Sequence, residues 1–478
     1  MTKKGQIIRI IETNKQKHLD LIKGINETVL LLSSIIISLI TISCKTDSTY
    51  ADYIVDTIVP TGNEKYLTES SDYIFDQNAL HTFELSIPLS KLKKIDSDPA
   101  AEEYVTANLK FNGEELSPVG IRYKGSVGAF VGALSGRDWS NPSGHKTATK
   151  ISIKVKIDWE DSTRTFYGLK KLQFHSQNLD PSQMHERLGY WLFREMGVVA
   201  PRSVHARLII NGVYYGVYAL TEQIDEQFIA YNYKDPSGNL YKEVWPVNYL
   251  GVATDQGGFL EKLKTNNAEE VNANLIKSFA DDIVKANDDE LRVLIIKRMN
   301  LDQIISYIVV DRMIRNDDGA FHWYCSSAGC DNHNYFWYEE PSIQKLHLIP
   351  WDLDNAFQNI GYGKSPVTRI HNKWGEISND CKPFPSYARG MYQKSAACDK
   401  LTGGWVSFRH EYDSLKMVFK NGPFSEEVVN TKVDEWSDQI REATREARRM
   451  HRDAIKEKEW NEALVNLKGE LTHSRLTY

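Results

Sequence analysis

The sequence predicts an α+β fold with a sheet-rich first part and a mainly helical second part. Apolar and polar residues alternate in short runs between residues 83 and 224, the period of strands. From residue 255, and again from residue 425, the apolar spacing lengthens to the period of helices. The 478 residues are 41% apolar and include 11 Trp, 24 Tyr and 17 Phe, ample for a sizeable core. Lys+Arg 58 against Asp+Glu 64 gives a net charge of -6, which excludes a generally basic nucleic-acid binder.

The chain opens with a basic stretch (Lys3, Lys4, Arg9, Lys15, Lys17, Lys23) followed by VLLLSSIIISLITIS, residues 29–43, without a charge. At 1.5 Å per residue this run makes about 22 Å of helix, short of a membrane span. Basic flank, short apolar run and small residue before the break are the parts of a secretory signal. The ending Thr41-Ile42-Ser43-Cys44 resembles a bacterial lipoprotein signal, which implies lipidation of Cys44 and a membrane-anchored lipoprotein of the cell envelope. An uncleaved anchor is the competing reading. The expected division is 1–44 anchor segment, 45–78 polar tether, 79–225 sheet-rich lobe and 226–478 helical lobe.

Phe83, Leu85 and Ile87 predict a first strand, Tyr104 to Phe111 a second, closed by the turn pair Asn112-Gly113. Val119, Ile121 and Tyr123 alternate next, followed by a loop with Gly125, Gly128, Gly132 and Gly136. KISIKVKIDW (150–159) places Ile151, Ile153, Val155 and Ile157 on one face and Lys150, Ser152, Lys154 and Lys156 on the other. Asp180-Pro181 carries two helix-start signals, a capping Asp and Pro at the first helical position. Met184, Leu188, Trp191 and Leu192 form that helix's stripe, and Gly197 ends it. RLIING and VYYGVYALTEQI read as strands joined at Asn211-Gly212; residues 255–315 read as helices and Tyr335–Trp351 as a hairpin. The last helical block starts near Ser425, with Val429, Val433, Trp436 and Ile440 inward and Arg441, Arg445, Arg448, Arg449 and Arg452 on a solvated face.

Five cysteines occur. With Cys44 assigned to lipid, four remain, an even number suited to an oxidising compartment. Proximity favours Cys325–Cys330 and Cys381–Cys398 among three pairings; a zinc site is the rival, with looser spacing.

Two acidic clusters carry the chemistry. Asn316-Asp317-Asp318-Gly319 ends an apolar helix, and 34 positions after Asp318 a strand-like HLIP run leads into Trp351-Asp352-Leu353-Asp354. Carboxylates at the ends of regular elements suit a divalent cation on phosphate oxygens. Asn334 between them offers a neutral oxygen ligand. Lys150 or Lys154 on a strand, paired with Glu186 on the next helix, could face a phosphate, with Arg122 a further phosphate contact. Strand, Gly-rich loop, strand lysine, helix glutamate, two strands, acidic hinge (Thr221-Glu222), helices, Asp with Asn, then a second Asp is the parts order of a protein kinase.

GIRYKGS (120–126), KISIKVKI (150–157), residues 178–225, IPWDLDNAF (349–357) and NGPFSEEVV (421–429) together resemble the CotH kinase family, atypical protein kinases similar to spore coat protein H. The resemblance covers roughly residues 80–450. It implies a divergent bilobal protein-kinase-like fold, ATP with Mg²⁺ (or Mn²⁺) as cofactors, and transfer of the γ-phosphoryl group to Ser or Thr of secreted or surface proteins. It places Asp318 or Asp317 as catalytic base, and Asp352 and Asn334 at the metal positions, with Asp354 beside them and Asn332 the alternative to Asn334. Lys154 or Lys150 becomes the phosphate-facing lysine held by Glu186, and Glu222 falls at the adenine-facing hinge. The expected partners are a Ser/Thr-bearing protein and, through Cys44, a membrane, with no nucleic acid. A catalytically silent surface adhesin or scaffold, and a metal-dependent hydrolase, are the readings from other classes.

Overall fold

Seven strands close into a barrel: β1 (His81–Ser86), β2 (Val105–Phe111), β3 (Glu114–Tyr123), β4 (Ile153–Lys156), β5 (Lys171–His175), β6 (Ser203–Ile210) and β7 (Val213–Thr221). The order around the barrel is β1-β2-β3-β4-β5-β7-β6, closed by parallel pairing of β6 with β1; every other neighbouring pair is antiparallel. The computed structural model describes residues 70–477 apart from 126, 131, 139, 317, 328, 358–373, 376–380 and 386–391. The apolar segment 29–43, Cys44 and Asp317 therefore lie outside the described residues.

Period-two alternation explains the barrel. Phe83, Leu85, Leu109, Ile121, Ile153, Val155, Leu172, Phe174, Val204 and Leu220 share one buried core. The residues between them form the opposite face, where pairing aligns Arg122, Lys154, Gln173 and Thr221 in one row across four strands. The turn pairs Asn112-Gly113 and Asn211-Gly212 have positive φ at both residues (50° and 82°, 49° and 77°), as two-residue hairpins with the right twist require. Residues 70–78, expected to be part of a polar tether, are folded onto the barrel. A turn of helix, α1 (Ser71–Ile74), already buries Ile74 and Phe75 in the barrel core. Two more helices lie within the barrel half, α2 (Leu89–Ser97) and the single turn α3 (Val127–Phe130) in the Gly-rich loop.

The helix expected to open at Asp180-Pro181 begins five residues later, as α4 (His185–Glu195). Asp180 caps a turn instead: Oδ1 accepts from the Ser182 N–H at 2.8 Å and Oδ2 from the His185 N–H at 2.8 Å. Gln183, at φ 64°, breaks the helical path between them. Gly197 (φ 73°) follows the helix end as expected.

The second half holds α5 (Glu226–Asn232), α6 (Gln256–Glu261), α7 (Asn274–Lys285), α8 (Asp288–Arg298), α9 (Leu301–Met313), α10 (Lys400–Val406), α11 (Arg409–Asn421), α12 (Glu426–Met450) and α13 (Glu457–Thr477). Two small sheets run among them. β8 (Leu240–Lys242), β11 (Tyr335–Glu340) and β12 (Lys345–Pro350) form one, with β11 central. β9 (Trp323–Ser326), β10 (Gly329–Asp331), β13 (Phe384–Pro385) and β14 (Tyr392–Lys394) form the other. A large core joins α4 to these elements through Leu188, Tyr307, Trp337, Trp405 and Trp460. Val429, Val433, Trp436 and Ile440 of α12 are all buried in it, while Arg441 and Arg445 form ion pairs at the surface with Asp438 and Glu457. Both expected disulfides, Cys325–Cys330 and Cys381–Cys398, are present, and both lie in or beside the four-stranded sheet.

Arg187 of α4 is completely buried and donates to neutral groups: the Gln77 side chain (3.1 Å) and carbonyl (2.6 Å), His205 Nδ1 (2.8 Å) and Gln439 Oε1 (2.7 Å). The guanidinium also lies 4.3 Å from the Trp436 ring centre. Burial lowers its pKa to about 9. It ties the start of the barrel, β6, α4 and α12 to one point. Arg187→Ala is expected to cost about 3 kcal/mol or more, through a cavity and unsatisfied acceptors. A lower denaturant midpoint would show this; an unchanged midpoint would mean that Gln77, His205 and Gln439 find other partners.

Candidate active site

The site lies where α4 meets the segment leaving β12. Gly189 makes the approach possible, since a Cβ there would come within 2.8 Å of Leu353 Cδ1. The same helix face supplies two hydrogen bonds: Tyr190 Oη accepts from the Asp352 N–H at 2.9 Å, and His185 Nδ1 donates to the Asp354 carbonyl at 2.8 Å. Asp352 itself sits at φ 53°, a left-handed turn that takes the chain off the strand. Glu186, also on this face, is 2% exposed.

Lys124 approaches from the barrel, just beyond β3. Its ammonium donates to Gln173 Oε1 at 2.8 Å and to His175 Nε2 at 2.7 Å, and lies 5.3 Å from the Trp351 ring centre. His175 Nδ1 in turn faces both Glu186 oxygens, at 2.7 and 2.8 Å. Burial lowers the Lys124 pKa to about 8, against the pull of Asp352 and Glu186. Lys154 stands on the same face of the barrel, in the neighbouring row between Arg122 and Gln173. Burial, reinforced by the charges of Lys124, Arg122 and Lys171, brings its pKa down to about 7. This is a surplus of positive charge on one face of the barrel.

A surplus of negative charge stands opposite. Burial and the Glu186 charge raise the Asp352 carboxyl above its ordinary range. Burial, then Asp352, Glu186 and Asp318, raise Asp354 much further. Asn334 Nδ2 donates to Asp318 Oδ2 at 2.9 Å and to the Asp318 carbonyl at 3.0 Å, and the Asn334 carbonyl accepts from the Trp351 N–H at 3.1 Å. The 16 positions between Asp318 and Asn334 are thus closed in space, with the disulfide-linked hairpin β9–β10 as the intervening loop. Among the described residues no three His, Cys, Asp or Glu side chains form a metal cage. Asp352, Asp354 and the Asn334 amide oxygen are the oxygen donors that could hold Mg²⁺, a cation that keeps water and substrate oxygens in its shell. The repulsion between the two aspartates is what a cation there would relieve.

The structure brings Glu186, Asp318, Asn334, Asp352 and Asp354 together and corrects the lysine. No Lys154–Glu186 ion pair forms among the described residues, because β5 lies between β4 and α4 and presents His175 to Glu186. Lys150 is further away: its ammonium bonds the Val217 carbonyl and lies 4.9 Å from the Tyr218 ring centre. Arg122 is bound by Glu102, whose carboxylate also accepts from the Gly125 N–H at 2.8 Å and so pins the start of the Gly-rich loop. Glu222 is engaged by Arg202. Its carboxylate accepts from Arg202 Nε at 3.0 Å, and its N–H is taken by the Arg202 carbonyl at 2.9 Å. Asn332 spends both ends of its amide, on the Ala320 carbonyl (2.7 Å) and the Tyr335 hydroxyl (2.9 Å).

Lys124, Gln173 and His175 are the site residues that the sequence reading missed, together with Lys242, whose charge acts on both Lys124 and Asp352. A signal for three of them exists. Leu172 and Phe174 alternate with Lys171, Gln173 and His175, and continuing the β3 alternation past Tyr123 puts Lys124 on the face of Arg122.

The site thus sets a seated lysine against clustered carboxylates in an α+β protein. The model of the CotH kinase protein family matches residues 121–476, more than half of the chain, and the chain belongs to that family. It is 23% identical over 290 residues to inner spore coat protein H of Bacillus subtilis (strain 168), covering 60% of this chain and 72% of that protein. No helix among the described residues is long and apolar enough to cross a membrane.

A carboxyl whose folded pKa lies above its unfolded value loses native-state stability as pH rises from the unfolded towards the folded value. Asp352 and Asp354 therefore oppose folding at neutral pH until a cation is bound. Asp354→Asn is expected to raise the melting temperature more at pH 7.5 than at pH 5, and to shrink the gain that wild type shows on adding Mg²⁺. Identical melting at both pH values, with and without Mg²⁺, would count against a cation-binding pair.

Proposed function

We propose that this protein is a kinase that moves the γ-phosphoryl group of ATP to Ser or Thr hydroxyls of secreted or surface proteins. The observation that carries the reading is the seating of Lys124 on Gln173 and His175, with Glu186 behind it and Asp352 opposite. Family membership supports ATP use. The Bacillus relative is a spore coat protein, which supports a surface location. The apolar run 29–43 ending at Cys44 supports anchoring by lipid.

Phosphoryl transfer needs positioned charge more than covalent chemistry from the protein. Lys124 and Lys154 supply the cations for phosphate oxygens. Asp352, Asp354 and the Asn334 amide oxygen would hold Mg²⁺ (or Mn²⁺), which when bound neutralises charge on the phosphates. Asp318, oriented by Asn334, orients the attacking hydroxyl and takes its proton; Asp317, outside the described residues, is the alternative. The bilobal kinase-like arrangement follows on this reading, with the barrel as one lobe and the helices around β8, β11 and β12 as the other.

Labelled phosphate is expected to pass from ATP to the wild-type protein or an added acceptor, and transfer is expected to fall to background in Asp352→Ala. Wild-type rates in that variant would remove the site assignment. Absence of nucleotide binding in folded wild type would favour a surface scaffold.

Nucleotide affinity should also depend on pH. Lys154 and Lys124 attract phosphate only when protonated, and with pKa values of about 7 and about 8 they lose protons as pH rises. Bound phosphate raises both pKa values, so affinity falls from pH 6.5 to pH 9. Arginine keeps its charge throughout that range. Calorimetry of Lys154→Arg is expected to give a shallower decline than wild type; equal slopes would place Lys154 away from the nucleotide.

A further inference from the structure

We propose that His175 is a positioning residue through which Glu186 holds Lys124, so that the lysine is fixed without being neutralised. The proposal rests on the kinase reading for its functional meaning, because bound phosphate is then the partner for which Lys124 is held.

The donor inventory leaves one arrangement. An ammonium has only donors, so Lys124 must meet an acceptor on His175 Nε2 and the carbonyl oxygen of the Gln173 amide. With Nε2 accepting, the ring proton sits on Nδ1, which faces both oxygens of Glu186. That carboxylate is the acceptor the proton needs. The chain therefore runs in one direction: Lys124 N–H to Nε2, then Nδ1–H to Glu186. The ring is held from a third side by Trp351, edge-on with centroids 5.9 Å apart.

The consequence is electrostatic. A carboxylate in direct contact would compete with phosphate for the ammonium. A neutral imidazole and a neutral amide fix two of its three N–H groups and leave its charge for a ligand. Glu186 acts at one remove, by fixing the tautomer and angle of the ring, as second partners of histidine do elsewhere.

His175→Phe keeps a ring of similar size and removes both hydrogen bonds. His175→Gln keeps a donor and an acceptor. The full chain is tested for Mg-ATP binding by calorimetry, with thermal melting as a check on folding. His175→Phe is expected to bind Mg-ATP roughly ten- to a hundredfold more weakly, the scale of a lost hydrogen bond to a charged group. His175→Gln is expected to recover most of the loss. Wild-type affinity in His175→Phe, or equal loss in the two variants, would overturn the proposal and assign His175 to packing alone. A readout without nucleotide separates this outcome from failure of the kinase reading. Acylation of Lys124 by a water-soluble succinimidyl ester, followed by peptide mass spectrometry, is expected to quicken severalfold in His175→Phe and return towards wild type in His175→Gln. An unchanged rate in His175→Phe overturns the relay whether or not the wild type binds ATP.

Discussion

An ammonium group drawn out of water needs acceptors that are already in place, and for Lys124 they come from one strand, as Gln173 and His175 of β5. Much of the architecture follows from that requirement. β5 must pair with β4 and β7 in the register that turns these residues away from the barrel core. α4 must then lie close enough for Glu186 to meet the far nitrogen of His175. The same helix, through Gly189 and Tyr190, must also receive the turn that carries Asp352. One helix face thus meets the lysine seat on one side and the carboxylates on the other, and the distance between opposite charges is set by a rigid element.

The buried charges divide into two kinds. Arg202 with Glu222, and Arg312 with Asp311, are pairs in which acid and base sit in contact. Such pairs leave no field for a ligand, and their removal would strand a partner in a dry interior. Lys124 and Lys154 are different: the first has neutral partners, and the second is set among cations. Asp352 and Asp354 mirror them, the first with its pKa raised by burial and Glu186, the second by burial and Asp352. Separated, under-compensated charges are unfavourable for folding, and a phosphate with a divalent cation would satisfy both sides at once. Strain of this kind is common where binding or catalysis is housed.

Much of this was legible in the residue pattern. Alternation located β1, β2, β3, β4, β6 and β7, the Asn-Gly pairs located two hairpins, and helical spacing located α12 and its buried face. The acidic ends at Asp318 and Asp352 were legible too, because carboxylates placed after apolar elements are chemically unusual. The start of α4 was misplaced, because Asp180 and Pro181 are equally good signals for the capped turn that they form. β5 went unread, since KLQFH is short and follows a polar loop, and with it went His175 and Gln173. Lys150 and Lys154 precede Glu186 in the order of elements, whereas it is Lys124 that the folded sheet brings to His175.

By itself the sequence determined the α+β class, the strand faces and the kinship on which the family assignment rests; it favoured the two disulfide pairs that form and singled out the carboxylates that the fold gathers. These are properties of local spacing and residue chemistry, and they survive in one dimension. Tertiary structure alone decided that seven strands close into a barrel, that Lys124 and not Lys154 meets the histidine and glutamate, and that Glu222 belongs to Arg202. Each of these depends on which strand edge meets which, and on a helix crossing at a glycine. Contacts of that kind join residues far apart in the chain, where periodicity carries no information about distance.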